Sequence, residues 1–160
     1  MSERAETIEA ILAGSGVDYE IIDCDPALAD TAVFCEHYGY SLENSANVIV
    51  VASKTGEKKY AACVVLAVNR LDVNKVVRKK LGARKVFFAD AEQTRELTGM
   101  ELGGVTAIGL PPELPLWVDA RVMAHERIIL GGGGRETKII CSPAIFEHTP
   151  NTEVVEGLAK

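Results

Sequence analysis

Apolar positions along the chain follow both the helical and the strand period. In residues 3–13 they recur three or four positions apart, which predicts an amphipathic helix. Residues 47–52 and 59–68 form short, largely apolar runs, which are typical of buried strands. The turn at residues 53–56 predicts that these two strands pair as an antiparallel hairpin.

Polar caps and glycines mark the ends of the remaining elements. Helices are predicted from a cap at Asp30 or Thr31 to Gly39, from Asp72 to Gly82, and from Asp90 to Gly99. Strands are predicted at residues 19–22, 85–89, 114–119, 127–130 and 137–141. About seven strands, with helices interspersed irregularly between them, indicate an α+β fold with a mixed sheet.

The composition is that of an ordinary globular protein. The 160 residues are 48% hydrophobic and 25% charged, with no internal repeat and no low-complexity linker. We therefore expect one domain over residues 1–160. Charges stand near the N-terminus where a secretory signal needs an apolar run, and no apolar stretch is long enough to cross a bilayer. A cytoplasmic protein that does not associate with membranes is expected.

The patterns that would hold a cofactor are missing. The four cysteines form no C-x-x-C pair, and Cys63 and Cys141 lie in apolar runs that favour a packing role. The sequence also has no P-loop, dinucleotide-binding glycine motif, zinc-protease motif or nucleophile elbow. We therefore expect neither a metal nor an organic cofactor.

Charge is distributed unevenly along the chain. The formal net charge of −6 argues against a bulk electrostatic attraction to nucleic acid. Helical spacing nevertheless places Lys75, Arg78 and Lys79 together on an exposed face, opposite an apolar stripe. This face is either an ordinary solvated surface or a tRNA-binding contact for phosphates, and the sequence favours neither.

The loop after Gly99 carries the strongest chemical signal. Its glycines, Gly103, Gly104 and Gly109, let backbone N–H groups approach a ligand closely. Donors of this kind can hold a carbonyl oxygen or a developing oxyanion. A second glycine run, residues 131–134, could cradle a phosphate, but its position between two strands favours a plain hairpin turn.

Several short motifs occur in a characteristic order: Arg70-Leu71-Asp72, Leu81-Gly82-Ala83, Leu97-Thr98-Gly99, Gly103-Gly104-Val105 and Trp117-Val118-Asp119. In this order the chain resembles the YbaK and prolyl-tRNA-synthetase-associated domains, a family that edits mischarged aminoacyl-tRNA and includes Cys-tRNA(Pro) deacylase-like proteins. The resemblance implies a mixed, largely antiparallel sheet curled toward a barrel, with helices packed outside. It also implies a pocket for the aminoacyl end of tRNA, with an aminoacyl-tRNA synthetase as a further candidate partner.

The resemblance also implies which residues form the site. Asp119, Thr106 and Asn47 would be catalytic, and Asn47 stands where the family usually has a lysine. Thr106 and Ala107 stand where the family usually has serine and proline. An asparagine donates a hydrogen bond to an ester carbonyl but supplies no positive charge. Lys54 is the nearest substitute, although its opposite parity along a regular strand directs it to the other face.

Three functional hypotheses follow from these residues. The first is an editing domain that acts in trans and hydrolyses the ester of a mischarged tRNA, with Gly103, Gly104 and Gly109 shaping the pocket. The second is a binding module that recognises the tRNA end or a small acyl ligand without turnover. The third is an unrelated small-molecule enzyme on the same fold, which would not need the helix that carries Lys75, Arg78 and Lys79. If the missing lysine limits the chemistry, deacylation is slow and Asn47→Lys increases it.

Overall fold

Eight strands form two sheets in the part of the chain that the computed structural model describes, residues 3–54 and 57–160. The strands are β1 (Tyr19–Asp23), β2 (Ala46–Ser53), β3 (Tyr60–Leu66), β4 (Val86–Phe88), β5 (Leu116–Asp119), β6 (Ile128–Gly131), β7 (Thr137–Cys141) and β8 (Thr152–Val155). One sheet has the order β1-β7-β6, and the other has the order β4-β2-β3-β5-β8. The pairs β3–β5 and β5–β8 are parallel, and the other described pairs are antiparallel.

These pairings confirm the predicted mixed, largely antiparallel α+β fold. The strands divide between two sheets, and the described residues do not close into a barrel. The predicted hairpin is also confirmed, because β2 and β3 pair antiparallel from Ala46 with Leu66 to Ala52 with Tyr60. Of the predicted turn, residues 55 and 56 lie outside the described residues.

The helices begin and end close to the predicted caps. They are α1 (Glu3–Ser15), α2 (Thr31–Tyr38), α3 (Arg78–Leu81) and α4 (Ala91–Thr98). A π-helical segment, Val73–Val77, leads into α3 and is capped by the Asp72 side chain. The capping box predicted at Asp90 and Gln93 is present. None of the described helices is long and apolar enough to cross a bilayer.

The two sheets share one main core, and helices cover their other faces. Buried side chains of α1, of both sheets and of the loop before β5 form this core. Alternate residues of each strand point away from it. On that side of the three-stranded sheet, Ile140 of β7 packs with Phe34 of α2. On that side of the five-stranded sheet, Cys63 of β3 packs with Leu81 of α3.

Strand β8 is an addition to the seven predicted strands. It pairs in parallel with β5 over four residues, from Thr152 opposite Leu116 to Val155 opposite Asp119. Its sequence, T-E-V-V, is too short to show the strand period, and none of its residues is fully buried. The strand therefore depends on its neighbour β5 and not on a local apolar pattern.

The two sheets meet along the first half of β2. Among the described strands, β4 pairs only with the end of β2, at Val51, Ala52 and Ser53. The residues nearer the start of β2 are therefore free of β4, and there β2 lies close to β6 of the other sheet. Ser45 and Ile129 form an isolated parallel bridge at this point. We call this junction the seam.

Candidate functional site

A cavity of about 270 Å³ lies at the seam. Its wall comes from four parts of the chain: the start of α2, the first half of β2, the glycine loop and the β6–β7 hairpin. The lining residues are Asp30, Thr31, Phe34, Ser45, Ala46, Asn47, Val48, Ile49, Leu102, Gly103, Val105, Ile129, Leu130, Gly131 and Lys138. This wall combines apolar side chains with a few polar groups, which is the usual construction of a small-molecule site.

Asn47 lies in the wall that β2 contributes. Its Oδ1 accepts a hydrogen bond from Oγ1 of Thr31 at 2.6 Å, so the first residue of α2 fixes the orientation of the amide. An asparagine amide has one oxygen acceptor and an NH₂ group with two donors. Because the oxygen is engaged by Thr31, the Nδ2 group of Asn47 is the part that can donate to a ligand in the cavity.

Lys138 is a functional candidate that the sequence analysis missed. The residue is only 5% exposed, and it lines the cavity from β7. The Nζ atom donates to the carbonyl oxygens of Ala29 at 2.6 Å and Gly103 at 3.0 Å. It also lies 5.3 Å from the ring centroid of Phe34. Burial lowers the pKa of the Lys138 ammonium from its ordinary value.

Arg135, on the same hairpin, ties together two loops beside the cavity. Its Nη1 donates to Oδ1 of Asp30 at 3.1 Å and to the carbonyl of Leu102 at 2.9 Å. Its Nε donates to the carbonyl of Pro26 at 3.0 Å. Together with Lys138, this arginine fixes the glycine loop against the segment that leads into α2.

The two glycine runs pack against each other backbone to backbone. A Cβ atom on Gly104 would lie 2.0 Å from the carbonyl oxygen of Gly134, so no side chain fits there. The Gly104 N–H donates to the carbonyl of Glu101 at 2.9 Å, which engages a donor that was expected to face a ligand. Gly131 thus ends β6, the next three glycines lie in the turn of the β6–β7 hairpin, and the run also supports the glycine loop.

Gly109 and Thr106 lie outside the cavity lining. Gly109 packs beside Ile8 and Ile11 of α1, and its carbonyl accepts from Nη1 of Arg4 at 3.5 Å. Thr106 is fully buried, and its N–H donates to the sulfur of a methionine in the same loop at 3.4 Å. Within the described residues, the Thr106 hydroxyl has no hydrogen-bond partner.

Asp119 is also fully buried and does not line the cavity. The register explains this position. Asn47 of β2 pairs with Val65 of β3. The last β3–β5 pair joins Val64 to Val118, and Asp119 is the residue after Val118 in β5. Asp119 therefore lies two strands from Asn47, at about 10 Å. Its Oδ1 accepts from the N–H of Ala159 at 3.4 Å.

The structure thus brings two of the predicted site residues, Asn47 and Gly103, together with Lys138. It does not bring Gly104, Gly109, Thr106 or Asp119 into the cavity wall. Lys54, the suggested substitute for the family lysine, is exposed just after β2 and does not line the cavity. One signal could have identified Lys138: it is the single charged residue within the strand T-K-I-I-C.

The three predicted tRNA-binding residues are exposed and adjacent. Lys75, Arg78 and Lys79 line one surface groove of about 370 Å³. The N–H of Lys54 donates to the carbonyl of Lys85 at 2.9 Å, which joins the β2–β3 connection to the segment after α3. Residues 54–85 hold ten lysines and arginines and two acids, a formal charge of +8 in a chain whose total is −6. We call this stretch the basic region.

Comparison with known proteins agrees with the fold and the motifs. Residues 25–147, more than three quarters of the chain, match the family model of the aminoacyl-tRNA editing domain. The protein belongs to the aminoacyl-tRNA editing domain family. The resemblance found in the sequence is confirmed.

Two solved structures share the fold over nearly their whole length. A candidate trans-editing enzyme for prolyl-tRNA synthetase aligns with a TM-score of 0.79 and 21% identity, covering 100% of this chain and 98% of the other. A hypothetical protein aligns with a TM-score of 0.82 and 24% identity, covering 96% of this chain and 99% of the other. Similarity at this level of identity establishes the fold alone.

Proposed function

We propose that the protein acts in trans as an aminoacyl-tRNA deacylase that hydrolyses the ester of a mischarged tRNA. The observation that carries the proposal is the cavity at the seam. It places the Asn47 amide, the glycine loop and a buried lysine around one small space. Such a space suits an amino acid esterified to the terminal ribose, since the apolar wall accommodates a side chain and the polar groups face an ester.

The reaction needs one water and no cofactor. The water oxygen adds to the ester carbonyl carbon, the bond from that carbon to the ribose oxygen breaks, and one water proton ends on that ribose oxygen. The other proton is released with the amino acid carboxylate. Asn47 would donate from Nδ2 to the carbonyl oxygen as negative charge develops there. The roles that the resemblance implies for Thr106 and Asp119 remain predictions.

The basic region supports tRNA as the partner. Lys75, Arg78 and Lys79 are exposed and line one surface groove, where they can contact phosphates of a bound tRNA. The net charge of residues 54–85 favours such contacts although the whole chain is acidic. Cooperation with an aminoacyl-tRNA synthetase in the cytoplasm is part of the same proposal.

The direct test is deacylation of a panel of mischarged tRNAs by the purified wild-type protein. Each rate is compared with the uncatalysed hydrolysis of the same ester. We expect acceleration on at least one member of the panel and little on correctly charged controls. Rates equal to the uncatalysed baseline across the whole panel would reject the proposal.

The second candidate is a binding module of the same fold, without turnover. The neutral amide at position 47, fixed by Thr31, is the observation that favours it, because an amide holds an ester without supplying charge. Filter binding with a non-hydrolysable aminoacyl-tRNA analogue separates the two functions. Tight binding together with baseline hydrolysis across the panel would identify the binding module.

A further inference from the structure

We propose that Lys138 is a catalytic residue of this site and that its ammonium donates a hydrogen bond to the ester carbonyl oxygen during hydrolysis. This inference rests on the deacylase function proposed above. It assigns the positive charge of the site to β7, whereas the resemblance places that charge at position 47 on β2. The two strands belong to different sheets, and both face the cavity at the seam.

The hydrogen bonds of Lys138 leave it able to take a ligand. An ammonium has three N–H donors. Within residues 3–54 and 57–160, the Lys138 ammonium donates to two acceptors, the carbonyls of Ala29 and Gly103. Both acceptors are neutral, so they orient the ammonium without neutralising its charge. One donor of a cavity-lining cation therefore remains for an incoming oxygen.

The other charges around the cavity do not cancel Lys138. Among the described residues, Asp30 is the one acid in the lining, and its Oδ1 accepts from Arg135 at 3.1 Å. Burial is the largest influence on the pKa of Lys138 and lowers it. Arg135 lowers that pKa further, whereas Cys24, Asp30 and Cys35 raise it. A cation held in a buried wall acts more strongly on a nearby oxyanion than an exposed one does.

The neutral residue at position 47 is consistent with this assignment. A second lysine there would place two ammonium groups around a cavity of about 270 Å³, where like charges repel. A cation at one position therefore makes a cation at the other unfavourable. This changes the expectation for Asn47→Lys: a gain in deacylation should occur only when the charge of Lys138 has been removed.

A purely structural role for Lys138 is the alternative, because its two hydrogen bonds tie the glycine loop to the segment before α2. The test uses Lys138→Gln, which keeps an N–H donor and removes the charge. Lys160→Gln is the matched control, since Lys160 is exposed and pairs with Arg70 only through its backbone. Deacylation is measured on the tRNA that the wild type hydrolyses fastest.

We expect Lys138→Gln to lower kcat by about 10²–10³-fold, the usual cost of removing one group that stabilises an oxyanion, because the glutamine amide supplies no positive charge. Lys160→Gln should stay within twofold of the wild type. The double variant with Asn47→Lys and Lys138→Gln should have a kcat at least tenfold higher than that of Lys138→Gln alone. A structural tie would not be restored from β2, so failure of this rescue overturns the inference.

A second readout needs no substitution. Raising the pH through the lowered pKa of Lys138 removes its proton. The baseline-corrected kcat should therefore decrease, and the decrease should occur at a lower pH than the titration of an ordinary lysine. The ¹³Cε resonance of Lys138 should titrate with the same midpoint. A kcat that is independent of that titration overturns the inference, even if Lys138→Gln fails to fold.

The outcomes separate this inference from the proposed function. An active wild type with an unaffected Lys138→Gln variant overturns the role of Lys138 and leaves the deacylase in place. An inactive wild type across the whole panel overturns both. Activity that depends on the charge at position 138, and that is recovered by a charge at position 47, supports both.

Discussion

The cavity at the seam and the basic region place positive charge in two different ways. The basic region gathers exposed cations that are neighbours in sequence, such as Lys75, Arg78 and Lys79. The cavity instead collects Asn47 and Lys138 from different sheets, and its cation is buried. Exposed charges are screened by salt, and each of several neighbouring cations contributes only part of the attraction to a phosphate backbone. A buried charge is screened little and acts without such neighbours. Single substitutions should therefore matter more in the cavity than in the basic region.

The largest effect is expected from Asn47→Asp. The carboxylate removes the Nδ2 donor and places a negative charge in the same small cavity as the Lys138 ammonium. We expect kcat to fall by about 10²–10³-fold, measured as deacylation of the best tRNA substrate.

The matched background for this substitution is Lys138→Gln. If the two side chains act on the same oxyanion, the effects of the two substitutions on kcat are coupled. The fold-decrease in kcat caused by Asn47→Asp should then be at least tenfold smaller in the Lys138→Gln background than in the wild type. Equal losses in both backgrounds would show that Asn47 and Lys138 act independently, and the cavity would not be one electrostatic unit.

Gly104→Ala tests how the cavity wall is supported. The added methyl group would lie 2.0 Å from the Gly134 carbonyl, so the two glycine runs must separate. We expect the free energy of unfolding to fall by about 1–3 kcal/mol, measured by urea denaturation.

Gly14→Ala is the control for that substitution. Gly14 lies within α1, and a Cβ atom there meets nothing within 4 Å. Because alanine favours a helix over glycine, Gly14→Ala should raise the stability by up to about 1 kcal/mol. Equal destabilisation by the two substitutions would refute the close approach of the glycine runs.

Charge reversal in the basic region should have a smaller effect for each residue replaced than the substitution in the cavity, and the effect should be on tRNA binding. Replacing Lys75, Arg78 and Lys79 by glutamate should weaken tRNA binding by about tenfold or more and flatten its salt dependence, with a slope loss of about one for each phosphate contact. Binding is measured between 50 and 200 mM salt, a range over which such contacts are sensitive. Arg121→Glu, at an exposed position outside the basic region, is the control. An unchanged affinity and salt slope would make this face an ordinary solvated surface.

The same contrast explains what the sequence could predict. Helix ends such as Gly39 and the capping box at Asp90 depend on neighbouring residues, and the structure confirms them. The β2–β3 hairpin is equally local and is confirmed. Lys138 was missed because its burial depends on α2, which covers the face of β7 opposite the main core and is more than a hundred residues away in sequence. β8 was missed because its pairing with β5 is likewise non-local.

The smallest effect on kcat is expected from Asp119→Asn, which tests whether the cavity is the complete site. Asp119 lies about 10 Å from Asn47, with the strand β3 between them. Asparagine keeps the oxygen that accepts from Ala159, so the fold should tolerate the change. If the cavity at the seam is the complete site, kcat should stay within threefold of the wild type, because Asp119 lies outside its wall. If kcat falls a hundredfold while the melting temperature is unchanged, the catalytic role that the resemblance implies for Asp119 is correct. The site would then extend from the seam across the five-stranded sheet.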